Sequence, residues 1–391
     1  MSDELEAGIV DRAPTSRTDF HRPVHCLLGL PIDVVTLAEA VSTIERCADD
    51  RSRCFFSTPN LDFVITAHSE PVFRDSIMRS DFALADGMPL VWIARLLRIP
   101  MRERVSGASI FEALRKAPGR PLSVYLFGGP DGVAQKAAAA LDASADRMTC
   151  VGFQSPGFGT IEEMSAPQML RAINDARPDF VVVALGARKG QTWIEHNLAR
   201  LDAPVVSHLG AVVNFVAGTI RRAPPVWQRL GMEWLWRIYQ EPHLWRRYAA
   251  DGIGFARLFV AQVLPALIDV RFRWPREAAL ARAKITSTRA ADGRWSIVMS
   301  GHWTHQNSGA LRDALARSTS QPADIRIDLD AVEFLDSACI GLLLLLRGHQ
   351  SKCGADLDVV AVEGGTAARM LHNNGAAFLL GDHQAKKRAR A

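Results

Sequence analysis

The pattern of apolar and polar positions divides the chain into two regions of alternating strands and helices. Between residues 24 and 209, short runs of β-branched and aromatic residues alternate with amphipathic stretches, which is typical of βαβ units around a mainly parallel sheet. Such sheets bind ligands beyond the carboxyl ends of their strands, so the residues after each strand are the candidates for chemistry. The predicted strands are Cys54–Ser57, Phe82–Ala85, Ser123–Phe127, Thr149–Phe153, Phe180–Leu185 and Val205–His208.

A second, smaller pattern follows Trp274 and Pro275. It opens with two predicted strands joined through Asp292 and Gly293, a hairpin signal. The part of the chain that follows Pro275 is long enough to form a separate α/β domain. Its predicted strands are Ile285–Thr288, Trp295–Met299, Ile325–Leu329 and Leu357–Val362, and its predicted helices are Ser308–Ala316, Ile340–Arg347 and Thr366–His372.

The predicted fold class is therefore α/β, with a Rossmann-like, mainly parallel sheet, a helical appendage and a smaller α/β domain. We predict a flexible N-terminal tail at 1–22, the main domain at 23–220, the appendage at 221–275, the smaller domain at 276–384 and a basic tail at 385–391.

The segment at 221–275 differs from the rest in composition. It holds nine arginines against four carboxylates, and five of the nine tryptophans of the chain. Trp with Arg is typical of helices at an anionic membrane interface, although the tryptophans could equally pack on the preceding domain. The apolar stretch 252–270 is interrupted by Arg257, Gln262 and Asp269, which argues against a spanning helix but permits one lying on a membrane.

Charge and cysteine content exclude several classes. Lys and Arg total 46 against 42 Asp and Glu, too balanced for a protein that coats nucleic acid. The six cysteines form no CxxC pair, which disfavours a disulfide framework and a cysteine zinc site. The first 22 residues lack the basic start and apolar run of an export signal, so a cytoplasmic location is expected.

Two strand ends carry candidate chemistry. Asp86 follows an apolar strand and precedes Gly87 and a helix, a position that suits either a catalytic carboxylate or a helix cap. Gly128 and Gly129 follow another strand and suit either a phosphate-binding turn or a turn that needs glycine for backbone reasons alone. A nicotinamide dehydrogenase is disfavoured because the chain lacks GxGxxG and its acidic ribose-binding partner.

Seven ordered blocks between residues 24 and 248 resemble the WecG/TagA/CpsF glycosyltransferases of bacterial cell-surface polysaccharide synthesis. They are STPNLDF, ALADGMPLVW, RVSGASI, YLFGGP, VVALGARKGQTWI, GAVVNFVAGTIRRAP and MEWLWRIYQEPHLWRRY. The resemblance implies inverting transfer of a sugar from a nucleotide diphosphate to a polyprenyl-diphosphate-linked acceptor, with neither the metal-binding DxD motif nor a cofactor.

The same resemblance implies the roles of individual residues. Asp86 matches the proposed base, and Thr58 and Asn60 match the TxN that lines the same pocket. The other implied substrate contacts are Arg104, Gly128 and Gly129 for the nucleotide or diphosphate, then Gly186, Lys189 and Gln191, and finally Arg237 and Arg247 for the acceptor diphosphate.

Several positions depart from the family pattern. Arg188, Lys189, Gly190 and Gln191 stand where Pro-Lys-Gln-Glu is usual, so the polar side chain expected at 190 is missing. The other departures are Ser109 and Asn214 in place of aspartates and Leu244 in place of an arginine. Donor or acceptor preference is therefore expected to differ from that of better-known members.

The C-terminal region is similar to the STAS domain of anti-sigma-factor antagonists over about 285–380. The segment DLDAVEFLDSACIGLLLLL carries the resemblance. The serine phosphorylated in that family aligns with Ala338, which leaves Ser337 as the candidate regulatory residue or as a helix cap.

Together these observations predict a peripheral glycosyltransferase on the inner face of the plasma membrane, with a STAS domain for regulation or docking. The expected partners are a nucleotide-diphosphate sugar, a polyprenyl-diphosphate-linked sugar, an anionic membrane surface and a protein partner of the STAS domain, with no nucleic acid. The alternative is a non-catalytic nucleotide-sugar sensor that signals through the STAS domain.

Overall fold

The larger domain is built on a six-stranded sheet. The computed structural model describes residues 18–381. The strands of its first part are β1 (Val24–Leu27), β2 (Leu30–Asp33), β3 (Cys54–Ser57), β4 (Phe82–Ala83), β5 (Leu122–Gly128), β6 (Met148–Gln154), β7 (Phe180–Ala184) and β8 (Val205–His208). β3 to β8 form one sheet in the order β4-β3-β8-β7-β5-β6, and every neighbouring pair is parallel. All six predicted strands are present in it, although β4 has only two residues.

Helices cover both faces of this sheet, as parallel sheets require. The first of them begins at a capping box, in which the Thr36 hydroxyl accepts from the Glu39 N–H and the Glu39 carboxylate accepts from the Thr36 N–H. The helices are α1 (Leu37–Asp49), α2 (Leu61–Ser69), α3 (Pro71–Met78), α4 (Met88–Leu96), α5 (Gly107–Lys116), α6 (Val133–Asp142), α7 (Pro167–Asp175), α8 (Ala187–Asn197) and α9 (Gly210–Val216).

The appendage is helical. It comprises α10 (Pro225–Arg229), α11 (Glu233–Gln240), α12 (Trp245–Leu258), a π-helical turn (Phe259–Val263) and α13 (Leu264–Phe272). The helical stretch Pro242–Phe272 is long and apolar enough to cross a membrane by length and composition. One of its faces is nevertheless inside the protein, because Val263 and Ala266 are buried in an apolar cluster with residues of α2, α3 and α4.

The C-terminal domain has its own four-stranded sheet in the order β12-β11-β10-β9. β11 is parallel to β10 and β12, whereas β9 is antiparallel to β10. Its elements are α14 (Glu277–Leu280), β9 (Lys284–Arg289), β10 (Trp295–Trp303), α15 (Gly309–Ser318), β11 (Ile325–Leu335), α16 (Ser337–Cys353), β12 (Leu357–Val360) and α17 (Thr366–Asn373). The predicted fold class is confirmed, with two α/β sheets and a helical appendage.

The antiparallel hairpin of β1 and β2 joins the two domains. Both strands are buried, and they pack on the leucine-rich helix α16 of the C-terminal domain. Phe20 and Val24 belong to the same apolar cluster as the leucines of α16. Residues 18–22 of the predicted N-terminal tail thus lie against the smaller domain, whereas residues 1–17 and the predicted basic tail at 385–391 lie outside the described residues.

Candidate active site

A cavity of about 480 Å³ opens at the carboxyl ends of the parallel strands. This is the edge at which such sheets bind ligands, and the volume is within the usual range for small-molecule sites. Strand ends supply one wall, and α11 and α12 of the appendage supply the other. The lining includes the predicted residues Thr58, Asn60, Asp86, Gly129, Gly186, Arg237 and Arg247.

Asp86 lies in this cavity and does not cap a helix. Gly87 takes the cap position of α4 with φ of 139°, and no side chain caps that helix. The Asp86 carboxylate instead accepts the backbone N–H of Gly107. Burial raises the pKa of Asp86 to about 6, with Arg104 opposing the rise and Glu233 adding to it. A carboxylate with this pKa is ionised at neutral pH and well matched to proton abstraction.

The two polar residues after β3 lie next to Asp86 in the lining. Thr58 is buried, and the Asn60 side-chain oxygen accepts the N–H of Phe63 at 3.0 Å, which caps α2. Because capping occupies this oxygen, the amide nitrogen of Asn60 is left as the donor for a ligand. Both residues thus line the same cavity as Asp86.

The glycine turn after β5 is packed against the neighbouring strand, and only Gly129 of its two glycines lines the cavity. Gly128 has φ of 106°, and a Cβ there would lie 2.6 Å from the Ala184 oxygen, so only glycine fits. Gly129 lines the cavity, yet its N–H already donates to the Ala184 oxygen at 2.9 Å. That amide is paired within the sheet, so it is not the phosphate donor that the turn suggests.

The segment after β7 contains three of the predicted substrate contacts, namely Gly186, Lys189 and Gln191. Only Gly186 lines the cavity. The Lys189 ammonium donates to the Gly159 oxygen at 3.1 Å, away from the lining. Gln191 is buried and donates to the Ser57 hydroxyl at 2.8 Å. Lys189 and Gln191 therefore contact the protein rather than the space for a ligand.

Arg104 lies behind the cavity wall. Its guanidinium forms an ion pair with Glu233 of α11, which itself lines the cavity. Arg222 lies 3.9 Å from the same carboxylate and donates to the Ser109 hydroxyl at 2.7 Å. Arg104 thus ties the appendage to the sheet domain and acts on Asp86 through charge, instead of facing the cavity as a diphosphate contact would.

Arginines and aromatic rings of the appendage form the wall facing the strand ends. Arg237 pairs with Glu241 at 2.7 Å, while its buried Nη1 has no hydrogen-bond partner among the described residues. Arg247 is exposed, with its guanidinium carbon 5.0 Å from the centre of the Tyr248 ring. A third arginine of this wall, Arg221, was not predicted as a site residue. Such a set of forked donors suits a diphosphate.

Residues 25–267, more than half of the chain, match the sequence model of the glycosyl transferase WecG/TagA/CpsF family. The chain belongs to this family. The predicted glycosyltransferase (hexosyltransferase) class is thereby confirmed. Among members, the chain is similar to two enzymes named N-acetylglucosaminyldiphosphoundecaprenol N-acetyl-beta-D-mannosaminyltransferase. The one from Staphylococcus aureus (strain MW2) is 24% identical over 61% of this chain and 89% of the relative. The one from Bacillus subtilis (strain 168) is 28% identical over 51% of this chain and 76% of the relative.

Residues 286–380 of this WecG/TagA/CpsF protein match the Mlab, STAS domain, which confirms the predicted second domain type. The candidate regulatory residue Ser337 is the first residue of α16, whereas the cap is Asp336, which accepts the Cys339 N–H at 2.9 Å. The Ser337 hydroxyl lies 3.0 Å from Nδ1 of His25 in β1. The start of this helix therefore faces the transferase domain of the same chain.

Besides Arg221, the sequence analysis of this WecG/TagA/CpsF member missed a histidine in the cavity wall. His208 ends β8 and lines the cavity. It faces Gly190 of α8, where a Cβ would lie 2.8 Å from Cγ of the imidazole. The absence of a side chain at 190 thus has a structural reason, because the ring of His208 fills that space. The sequence offered one signal for this residue, which is a histidine at the end of a predicted strand.

Proposed function

We propose that the protein transfers a sugar, with inversion, from a nucleotide-diphosphate sugar to a sugar on a polyprenyl diphosphate during synthesis of a cell-surface polysaccharide or exopolysaccharide. The proposal rests chiefly on one observation, a buried carboxylate facing arginines across a single cavity. The names of the relatives support it, because their acceptor is an N-acetylglucosaminyl diphosphoundecaprenol.

In this proposal Asp86 is the general base. It takes the proton of the acceptor hydroxyl while that oxygen bonds to the anomeric carbon and the bond to the diphosphate breaks. The electron pair leaves with the nucleotide diphosphate, whose charge the guanidinium of Arg221 in the cavity wall stabilises. A single displacement from the face opposite the leaving group inverts the anomeric centre. Thr58 and the Asn60 amide orient the sugars beside the base.

The direct test is turnover by the purified full-length protein. It is offered a panel of nucleotide sugars and short-chain polyprenyl diphosphates carrying N-acetylglucosamine, and the anomeric configuration of the product is read by NMR. Transfer with inversion is the expected result. Nucleotide-sugar binding without transfer to any acceptor would contradict this function and favour the sensor alternative.

The first prediction concerns the acceptor diphosphate. The double variant Arg237→Ala/Arg247→Ala is expected to lower kcat/KM for the lipid acceptor by about 10- to 100-fold, from the usual strength of charge-assisted hydrogen bonds. Nucleotide-sugar affinity, measured by calorimetry, should change little. Arg246→Ala is the matched control, because Arg246 is exposed on α12 but does not line the cavity. Equal loss of donor and acceptor binding would contradict the assignment.

We further propose that the outer face of α12 and α13 lies on the anionic inner surface of the plasma membrane. Large apolar side chains at helical spacing are exposed along it, namely Ile253, Val260, Leu264 and Ile268. Arg257 and Arg271 are exposed in the same stretch and match anionic headgroups. A position along the surface fits better than a spanning one, because Val263 on the opposite face is buried in the protein.

The second prediction tests this membrane face with vesicles. Full-length protein should co-sediment with phosphatidylglycerol vesicles more than with phosphatidylcholine vesicles, and added salt should weaken the binding. Val260→Asp/Leu264→Asp should abolish sedimentation, because it places charges on the exposed apolar stripe that is proposed to enter the membrane. Val72→Asp is the control, since Val72 is an exposed apolar residue of α3 outside this face. Salt-insensitive binding, or binding that survives the double change, would refute the proposal.

The STAS domain is proposed to serve regulation or docking. In support, the start of α16 contacts β1 through Ser337 and His25, so a change at this helix can reach the transferase domain. The Lys352 ammonium adds a charged contact with Asp81, at 2.9 Å, just before β4. The STAS domain therefore contacts the residue just before β4, the strand that precedes Asp86.

A further inference from the structure

His208 occupies an unusual position in the cavity wall. It is buried at the carboxyl end of β8, and among the described residues no hydrogen-bond partner reaches its Nε2. The ring lies 6.3 Å from the Phe63 ring, centre to centre. A buried polar atom without a partner is costly, and native sites retain one where a ligand or water completes it. The residue that carries this nitrogen lines the cavity proposed for the sugars.

Two glycines make the room in which the imidazole lies. A Cβ at Gly190 would lie 2.8 Å from Cγ of His208, and one at Gly210 would lie 3.1 Å from Nε2. Ordinary side chains at these positions would displace the ring or cover its nitrogen. The sequence thus keeps both neighbours small, and no side chain at either position displaces the imidazole or pairs with Nε2.

The chemistry of the ring restricts what it can bind. Burial lowers the pKa of His208 to about 4, so the imidazole is neutral near pH 7. A neutral imidazole has one donor nitrogen and one acceptor nitrogen and carries no charge for a phosphate. The arginines of the opposite wall already suit the anionic part of the substrates. The natural partner of Nε2 is therefore an uncharged polar group.

We propose that Nε2 of His208 hydrogen-bonds a neutral substituent, a hydroxyl or an acetamido group, of the sugar bound beside Asp86 and thereby determines sugar specificity. This role rests on the proposed function, because it requires a sugar in the cavity. The sugar can belong to the donor or to the acceptor, and the two sources are separable by experiment.

The test compares His208→Leu and His208→Gln with the wild-type full-length protein. Calorimetry measures binding of UDP, UDP-glucose, UDP-N-acetylglucosamine and UDP-N-acetylmannosamine. If Nε2 contacts the donor sugar, His208→Leu should bind UDP normally but the preferred UDP-sugar about 5- to 10-fold more weakly, the usual effect of one neutral hydrogen bond. His208→Gln should recover part of this loss, because its amide can reach the same group.

The acceptor arm uses citronellyl diphosphate with and without N-acetylglucosamine. A contact to the acceptor sugar predicts unchanged UDP-sugar binding, a raised KM for the glycosylated lipid and unchanged inhibition by the bare lipid diphosphate. The melting temperature of His208→Leu should equal or exceed that of wild type, because the variant removes an unpaired buried nitrogen. His196→Leu is the control, since His196 is exposed on α8.

The outcomes separate this role from the function on which it rests. Equal loss of UDP and UDP-sugar binding, a lower melting temperature that Gln does not restore, or no change in either arm would overturn the role of His208 alone. Failure of the wild-type protein to bind any of these ligands would refute the proposed function, and the role of His208 with it.

Discussion

Replacing Asp86 by asparagine is expected to lower turnover by about 10²- to 10⁴-fold, the usual contribution of a general base. The substitution keeps the size of the side chain and an oxygen that can still accept the Gly107 N–H, but it removes the basicity. Nucleotide-sugar affinity should stay near the wild-type value, because Asp86 acts on the acceptor hydroxyl. Steady-state turnover and calorimetric donor binding together check this.

The pH dependence gives an independent signature. Because burial raises the pKa of Asp86 to about 6, kcat/KM should fall as the pH drops through that value and should level off above it. The stability effect has the opposite sign. A carboxyl whose folded-state pKa is raised destabilises the fold as pH rises from its ordinary value toward 6, so Asp86→Asn should melt at the same or a higher temperature at pH 7.

Asp251 supplies a matched control for both measurements. Burial also raises the pKa of Asp251 to about 6, but this residue lies on α12 and does not line the cavity. Asp251→Asn should leave the acid limb of the pH profile in place and reduce turnover far less than Asp86→Asn. Normal turnover by Asp86→Asn, or early melting without a catalytic defect, would show that Asp86 has only a structural role.

Much of the fold could be predicted because the strands of a parallel sheet are short, apolar and regularly separated by amphipathic helices. The hairpin of β1 and β2 escaped prediction for a local reason. Its turn contains Leu28 with φ of 52°, a conformation that leucine rarely adopts and that sequence patterns do not indicate. Its packing on α16 is a contact between distant parts of the chain, which periodicity does not reveal.

The site was predictable where it depends on strand ends and less so where it depends on helix orientation. Thr58, Asn60 and Asp86 lie together because β3 and β4 are adjacent parallel strands. In α8, by contrast, the 3.6-residue period turns Gly190 inward and Lys189 outward. The family resemblance predicts which residue types occupy the site. The direction of each side chain depends instead on which face of its helix is buried.

The contact between the two domains depends on glycines in α16. Gly341 lies against the backbone of β1, where a Cβ would come within 2.9 Å of the His25 carbonyl carbon. Gly348 lies two turns further along, against the backbone at Met78, where a Cβ would be 2.7 Å from the carbonyl carbon. Backbone cannot swing aside as a long side chain can, so α16 approaches the transferase domain only because these positions have no side chain.

Gly348→Ala is therefore expected to destabilise the protein, although alanine alone favours a helix by about 1 kcal/mol over glycine. Overpacking of this kind costs about 1–3 kcal/mol, and thermal unfolding should show a lower melting temperature for the transferase domain as well as for the STAS domain. Gly252→Ala is the matched control, because Gly252 lies inside α12 with open space around it. That variant should melt at the wild-type temperature or slightly higher. If Gly348→Ala also behaved in this way, the close packing of α16 on the transferase domain, and with it the physical route for control by the STAS domain, would be refuted.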